Sequence, residues 1–461
     1  MSTQDFEKII HGTIWSFLGT ISFMIGGFLF WVIIGFLISV KELGYITTAV
    51  SLAGLLTGLA NIGFDYATLR EAPIKGGKTF GSILLVSILS SIIFSSLSFL
   101  FKDIYPRFYD LIPFVILLTI IGVTSIVGRN LLIVAGEYKF IFISNLFYLI
   151  VRFSVGIILI LLGYQILGVL LSYLLSQLTA FIISFIISLR KIGLAFPTLN
   201  DISETIKIGL SNYPLALSNI LARNASTLLV AILSTNPINT GIYYMCLVIT
   251  ITLASIPTMM SMIGLPVSVK SNRTAALDHI IRLGGSFILP FTIFVGSTSD
   301  WILGLINKSL ISGFPILTLL TFSIIPQMIL SVGISKLNYN KNLKLITIIG
   351  ALQLFILVIS SILLIPVYGL FGIALSYLLA KSIPLIFLKI NIDYITGLKL
   401  FVIQAVYVSI AFFLSEFIPS LIIGFLVAFL SLLTIILLRI VSLREFITLF
   451  QTSLKTIGVM K

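Results

Sequence analysis

Three basic residues lie inside long apolar stretches of the sequence, where an ionisable side chain is costly. Arg152, Arg223 and Lys381 fall near the middle of their stretches, and no acidic residue lies at a matching depth. A charge at the centre of a bilayer costs about 2.5–3.5 kcal/mol on insertion scales and usually faces a cavity or a partner. Guanidinium groups bind phosphate bidentately, and lysine supplies a point charge. We predict that the three line a cavity and bind an anion; the alternative is that they snorkel or bond helix-end carbonyls.

Two further ionisable residues lie near one end of their apolar stretches. Asp65 closes the second stretch, and Arg129 lies towards the same end of the fourth. Because opposite charges at one depth stabilise each other's charged forms, we predict a structural or gating ion pair. The alternative is that Asp65 binds a cation or a proton as a coupling site.

Motifs for nucleotide or metal chemistry are absent from the sequence. It contains no P-loop and no HExxH pattern, which excludes a nucleotide engine and a zincin site. The single cysteine, Cys246, lies in an apolar run, so no disulfide can form within the chain. We predict no catalytic residue, no metal site and no cofactor, and therefore a protein that is not an enzyme.

The elements that position these residues follow from composition. Of the 461 residues, 59% are hydrophobic and 9% charged, whereas soluble proteins carry about 25% charged residues. In lipid only helices or closed barrels satisfy the backbone, and the apolar runs are too continuous for barrel strands. The sequence predicts an all-α, polytopic membrane protein. We place fourteen spans at 14–39, 44–65, 80–101, 111–134, 140–163, 165–189, 206–233, 240–265, 283–306, 310–334, 343–365, 368–390, 398–416 and 419–439.

The basic residues between the spans are unequally distributed. With the N-terminus inside, and with residues at the span ends counted with the adjoining loop, 20 Lys and Arg residues fall on the inner side, 4 on the outer side and 4 within spans. This bias is typical of a protein with both termini in the cytoplasm and an even number of spans. It accounts for most of the net charge of +13 without a nucleic-acid partner. The first apolar stretch, Ile14–Val40, is too long for a cleaved signal peptide. The gap at 190–205 is predicted to be a polar linker or a surface helix.

An internal repeat divides the spans into two sets of six. The segments Ile166–Gln177 (ILGVLLSYLLSQ) and Leu370–Lys381 (LFGIALSYLLAK) match at a constant sequence offset, which we call the repeat offset. A weaker similarity pairs Gly44-Tyr45 with Gly241-Ile242-Tyr243. A parallel repeat of six spans predicts two lobes related by an axis along the membrane normal, as in transporters with a site at the lobe interface. The lobes are predicted at 1–190 and 206–392, followed by two additional transmembrane helices at 398–440.

Several segments resemble the polysaccharide transport branch of the multidrug/oligosaccharidyl-lipid/polysaccharide flippase superfamily. They are Gly12–Gly19 (GTIWSFLG), Lys41–Tyr45 (KELGY), Asn61–Glu71 (NIGFDYATLRE), Ile208–Leu217 (IGLSNYPLAL), Pro290, and Tyr368-Gly369 with Gly372. The resemblance covers nearly the whole chain. It implies two six-helix lobes around a central cavity, as in the multidrug exporters (MATE) of the superfamily. Some relatives carry a basic residue in the first span, which this chain lacks, so their cavity residues are not carried over there.

The resemblance also implies a function. It suggests a flippase that moves a lipid-linked oligosaccharide, on an isoprenoid phosphate or pyrophosphate carrier, across the cell (cytoplasmic) membrane for polysaccharide or surface glycan synthesis. Arg152, Arg223 and Lys381 would then hold the carrier phosphate. Lipid-linked oligosaccharide, membrane lipids and glycan assembly enzymes are the implied partners.

Three rival functions stay open at this point. The nearest is a cation-coupled multidrug exporter of the same superfamily, which would share the fold. A membrane glycosyltransferase would be expected to carry acidic residues in its first external loop, where this chain has only Glu42. Nothing specific favours a membrane assembly scaffold.

Overall fold

A computed structural model describes residues 3–271, 275–340, 342–388, 393–438 and 440–441. Within those ranges the side chains of residues 3–14, 16–17, 65–66, 70, 211–212, 214–223, 262–271, 275–278 and 343 are not described. The first half contains the helices α1 (Thr3–Leu37), α2 (Val40–Ala60), α3 (Phe64–Lys75), α4 (Gly77–Ser96), α5 (Ile112–Val134), α6 (Tyr138–Leu161), α7 (Gln165–Ile192) and α8 (Leu199–Ser234). The second half contains α9 (Pro237–Ser271), α10 (Ala275–Ser297), α11 (Ser299–Ile306), α12 (Phe314–Thr321), α13 (Ile324–Tyr339), α14 (Leu343–Ser382), α15 (Tyr394–Leu414) and α16 (Ser420–Leu437).

The described residues contain no strand, and the all-α prediction is confirmed. Twelve described helical stretches are long and apolar enough to cross a membrane. One of them, Lys344–Leu388, is 45 residues long and covers two predicted spans. It is interrupted at Gly369, whose φ of 57° and ψ of −133° are not helical. The predicted span 206–233 lies within α8, whose side chains are described only in part. The chain is therefore a multi-pass membrane protein.

The predicted end of the second span was wrong. It was placed at residue 65, but α2 ends at Ala60 and a separate helix, α3, begins at Phe64. The break lies where Ile62 and Gly63 adopt positive φ angles of 39° and 71°, a conformation that glycine tolerates and that no α-helix continues through. Asp65 consequently lies in α3 and not in the second span.

The gap at 190–205, predicted to be a polar linker or a surface helix, contains a short linker and the start of a helix. Helix α7 continues to Ile192, and α8 already begins at Leu199. Thr198 starts α8 with a capping box, because its hydroxyl accepts from the Asp201 amide while the Asp201 carboxylate accepts from the Thr198 amide. The acidic residue that marked a linker in the sequence is therefore part of a helix start.

The chain divides into two compact units, Met1–Met245 and Cys246–Lys461. In the first unit α8 packs against α2, α3 and α4. In the second unit α15 and α16 pack against α10. On α15, Gln404 donates to the carbonyl of Thr321 on α12 at 3.0 Å. On α16, Ser420 donates to Asp300 on α11 at 3.0 Å. The predicted lobe boundaries at 190 and 206, and the separate pair of helices at 398–440, stay predictions.

The repeat has a structural counterpart at the start of its two matching segments. Each segment follows a tight turn with a positive-φ glycine, Gly163 or Gly369. A Cβ on Gly168 would lie 3.3 Å from the Ile160 amide nitrogen, and one on Gly372 would lie 2.5 Å from the Leu364 carbonyl carbon. Ile160 and Leu364 are themselves related by the repeat offset. The same glycine therefore allows the same close approach of two helices in both halves of the chain.

Candidate functional site

Arg152 is buried in the first unit among aromatic rings. Its side chain on α6 is 4% exposed. The guanidinium carbon lies 3.6 Å from the ring centre of Tyr173 and 4.2 Å from that of Phe30. Nη1 donates to the Tyr148 hydroxyl at 3.2 Å. Rings within about 6 Å attract a cation through their quadrupoles, so the cation is held by contacts with several rings.

Small residues allow the helices that carry this site to come close. Gly156 lies one turn after Arg152 on α6. A Cβ at Gly156 would lie 3.0 Å from Phe30 Cε2 and 3.2 Å from the Ser172 hydroxyl. A larger residue would push α1 and α7 away from α6 and separate the rings from the guanidinium. The arginine was identified in the sequence, but its aromatic surroundings were not.

Lys381 is buried in the second unit. Its side chain on α14 is 7% exposed. Nζ donates to Gln353 Oε1 at 3.3 Å and lies 5.4 Å from the ring centre of Tyr377. Gln353 and Lys381 lie on opposite sides of the interruption at Gly369, so the contact joins the two arms of α14. Both described partners of this ammonium group are uncharged.

The remaining predicted site residues are only partly described. The side chains of Arg223 and Asp65 lie outside the described residues. Arg129 is exposed on α5, which packs against α3, the helix that contains Asp65. A common cavity of Arg152, Arg223 and Lys381 and an Asp65–Arg129 ion pair both stay predictions.

A charged cluster that the sequence analysis missed joins α3 to α8. We use this name for Glu71, Lys75, Asp201 and Glu204. Lys75 Nζ lies 3.4 Å from Glu71 and 3.7 Å from Asp201, and it forms a short ion pair with Glu204. The spacing of Glu71 and Lys75 is that of a helix i,i+4 pair, but the partners on α8 are distant in the sequence.

The cluster shifts the ionisation of its members. The hydrogen bond from Lys75 to Glu204 raises the pKa of the Lys75 ammonium above its ordinary value. The hydrogen bond from the Thr198 hydroxyl lowers the pKa of Asp201, and the charge of Lys75 lowers it further. Both shifts favour the charged forms. Nearby, the hydroxyls of Ser82 and Thr205 are hydrogen-bonded at 3.0 Å, which adds a neutral contact between α4 and α8.

A glycine contact joins α2 to the first turns of α9. We use this name for Gly44, Gly241, Val40 and Pro237. Gly44 lies directly against the Pro237 carbonyl, and Gly241 lies against the Val40 carbonyl. The two contacts are reciprocal, because one and the same sequence offset separates Gly44 from Gly241 and Val40 from Pro237. The weak sequence similarity between Gly44 and Gly241 indicated that the two glycines are equivalent, but not that each lies in a contact.

Hydroxyl groups surround the glycine contact. Tyr105 and Thr240 share a hydrogen bond of 2.6 Å between their hydroxyls. Tyr45 donates to the Pro106 carbonyl at 2.9 Å. Burial raises the pKa of the Tyr105 hydroxyl, so it stays neutral. No charged side chain takes part in these described contacts.

Most of the buried charged side chains among the described residues are basic. The buried charged side chains of the described residues are Glu71, Arg152, Lys336 and Lys381. Glu71 lies in α3, outside the candidate spans, whereas the three basic residues lie within them. The described residues contain no group of acidic, histidine or cysteine side chains that could hold a metal ion. The buried charge of the described spans is therefore positive.

Solved structures that resemble the chain are membrane transporters. A lipid II flippase, MurJ, in an inward closed conformation matches with a TM-score of 0.75 at 15% identity, covering 92% of this chain and 98% of that one. An inward-facing multidrug resistance MATE family transporter of the MOP superfamily matches with a TM-score of 0.56 at 14% identity, covering 85% and 95%. The eukaryotic MATE transporter AtDTX14 matches with a TM-score of 0.55 at 12% identity, covering 86% and 100%. These likenesses confirm the predicted fold class, an all-α polytopic membrane protein that resembles the MATE transporters, and they agree with two six-helix lobes.

Sequence comparison identifies the family. No curated protein matches the chain significantly. A family model described as "Polysaccharide biosynthesis protein" matches residues 33–309, more than half of the chain. The chain therefore belongs to the polysaccharide biosynthesis protein family, in the polysaccharide branch of the multidrug/oligosaccharidyl-lipid/polysaccharide flippase superfamily.

Proposed function

We propose that the protein translocates a lipid-linked oligosaccharide, carried on an isoprenoid phosphate or pyrophosphate, across the cell membrane. The observation that carries this proposal is the sign of the buried charge. In the described spans the buried charged side chains are Arg152, Lys336 and Lys381. A phosphate or pyrophosphate head group is an anion that such residues bind, and the family functions in polysaccharide biosynthesis.

In each unit, a buried cation would offer the head group a binding partner. Arg152 packs the face of its guanidinium against aromatic rings, and a guanidinium binds phosphate through its donor edge. Lys381 supplies a point charge beside a neutral amide. Arg223 is the third cation by its place in the sequence. Transport would change no covalent bond, so the protein would not act as an enzyme.

The membrane orientation follows from the distribution of basic residues. Both termini would lie in the cytoplasm. The charged cluster would then lie at the cytoplasmic end of the first unit, and the glycine contact at the outer end.

A multidrug exporter is the second candidate, because MATE transporters share the fold. Export of an organic cation requires a site that stabilises positive charge. The buried charge of the described spans has the opposite sign, which favours the flippase.

Reconstitution in vesicles tests the proposal. A fluorescent isoprenoid-pyrophosphate oligosaccharide should move between leaflets when the protein is present. Replacing both cations, in Arg152→Gln with Lys381→Gln, should raise KM about tenfold to hundredfold, since a hydrogen bond to a charged group contributes about 1.5–3 kcal/mol.

Arg190→Gln is the matched control, because Arg190 is exposed at the end of α7 and should leave transport unchanged. Failure of the wild type to move the lipid, together with sodium- or proton-driven efflux of an organic cation, would replace the proposal by the exporter.

A further inference from the structure

The same tyrosine of the repeat contacts a buried cation in each half of the chain. Tyr173 and Tyr377 are related by the repeat offset, within the matching segments. The Arg152 guanidinium carbon lies 3.6 Å from the centre of the Tyr173 ring, and Lys381 Nζ lies 5.4 Å from that of Tyr377. Both tyrosines are buried.

We propose that Tyr173 and Tyr377 are positioning residues, each of which fixes one buried cation for the anionic head group of the cargo. The inference rests on the proposed function, because it concerns how the cations of that function are held. It adds to that function two residues that are themselves uncharged.

The tyrosine is the constant part of the two sites, and the cation is the variable part. In the first unit the cation comes from α6, the helix before the tyrosine. In the second unit it comes from the tyrosine's own helix, one turn later. The repeat equivalent of Lys381 is Gln177, whose Oε1 is buried and accepts no hydrogen bond from the described residues. Simple i,i+4 spacing explains the Lys381 contact but not the Arg152 contact, whereas a shared tyrosine explains both.

An aromatic ring can fix the position of a cation without neutralising its charge. The ring attracts the cation through its quadrupole and adds no negative charge of its own. The helices α1, α6 and α7 that surround Arg152 carry no acidic residue within their candidate spans. A carboxylate in the place of the ring would attract the cation more strongly but would cancel its charge. The ring therefore holds the position of the cation and keeps the net positive charge.

Ring replacement in the reconstituted, full-length protein tests the inference. Tyr173→Phe and Tyr377→Phe keep the ring and should keep the wild-type KM for the isoprenoid-pyrophosphate probe. Tyr173→Leu and Tyr377→Leu remove the ring and should raise KM about threefold to thirtyfold, the range that a cation–π contact represents, with kcat little changed. Tyr164→Leu and Tyr368→Leu are matched controls, because these tyrosines are related by the same repeat offset but are exposed, by 54% and 58%.

A double-mutant comparison separates positioning from general damage. In an Arg152→Gln background, Tyr173→Leu should raise KM no further, since the cation that it positions is gone. If Tyr173→Leu fails to fold, Tyr173→Met removes the ring with less change of volume and gives the same comparison.

Equal KM values for the Phe and Leu variants, or additive effects of Tyr173→Leu and Arg152→Gln, would overturn the inference while transport by the wild type still supports the proposed function. Absence of transport by the wild type would overturn both.

Discussion

The two ends of the first compact unit are held together by different physical interactions. At one end the charged cluster joins α3 to α8 through Lys75 and three carboxylates. At the other end the glycine contact brings the backbones of α2 and α9 together at Gly44 and Gly241. The first depends on charge, which salt and pH change. The second depends on the absence of a side chain, which only a substitution changes. The two ends should therefore respond to different perturbations.

The strongest destabilisation is expected from a substitution at the glycine contact. Gly44→Ala places a Cβ against the Pro237 carbonyl, and a backbone carbonyl cannot rotate away as a side chain can. We expect destabilisation of about 1–3 kcal/mol, as for overpacked cores, measured by thermal unfolding in detergent. Gly27→Ala is the matched control, because a Cβ there meets nothing within 4 Å. Equal melting temperatures for the two variants would show that the backbones are not in close contact.

The next effect is a charge reversal in the charged cluster. Lys75→Glu would place a fourth carboxylate beside Glu71, Asp201 and Glu204, so the repulsion should separate α3 from the start of α8. Amide hydrogen exchange of both segments should rise, whereas exchange around Gly44 should stay unchanged. The effect should shrink in high salt, because the cluster is partly exposed and is screened.

Lys78→Glu serves as the control for this variant. Lys78 is exposed and acts on Asp201 only through its charge. A response to Lys78→Glu as large as that to Lys75→Glu would show that net charge at this end matters, and not the contacts of Lys75.

A smaller effect is expected from pH, again at the charged end only. The pKa of Asp201 is lowered by its hydrogen bond from Thr198, so its contribution is complete above the ordinary value of about 3.9 and is lost as the pH falls through the lowered pKa. The pKa of Lys75 is raised by Glu204, so its contribution is complete below about 10.4 and is lost as the pH rises through the raised pKa.

Hydrogen exchange corrected for intrinsic rates measures this dependence. Protection of residues 199–206 should fall below about pH 4, and Asp201→Asn should remove that acid dependence. Loss of protection around Gly241 over the same acid range would contradict the distinction between the two ends.

The smallest effect is expected from a hydroxyl beside the glycine contact. Tyr105→Phe removes the 2.6 Å hydrogen bond to Thr240 and keeps the ring contacts with Tyr45 and Phe108. The stability should fall by about 1 kcal/mol, the net value of a hydrogen bond, in thermal unfolding. Thr240→Val should have a similar effect, and the double variant should lose little more than either single one. Full additivity would mean that the two hydroxyls act independently.

The sequence predicted the cations of the candidate site but not their surroundings. Arg152 and Lys381 were conspicuous because a charge within an apolar run is rare. The rings of Phe30 and Tyr173 were not, because aromatic residues are common in such runs and nothing in the local pattern shows which face they occupy. The charged cluster was missed for a related reason, since its contacts join distant parts of the chain.

The repeat shows most clearly which features can be predicted from the sequence and which require the structure. The match between the two segments was visible in the sequence, and it correctly indicated equivalent helix pairs at Gly168 and Gly372. The weaker similarity between Gly44 and Gly241 is explained only by the structure, which places the two glycines in reciprocal contacts. A short match of common membrane residues predicts equivalence but does not predict that the equivalent residues touch.

The apolar composition alone establishes that this protein is a bundle of membrane-spanning helices, because lipid offers the backbone no hydrogen bonds and each span must satisfy its own. The sequence also shows where the basic residues lie along the spans. The break at Ile62 and Gly63 places Asp65 outside the second span. Helix packing places Arg152 against aromatic rings and Lys381 beside an amide, and this packing could not be read from the sequence. The reason is that a helix that is apolar on every side carries no pattern to fix its rotation. The rotation is set by packing against other helices, where glycines permit close approach.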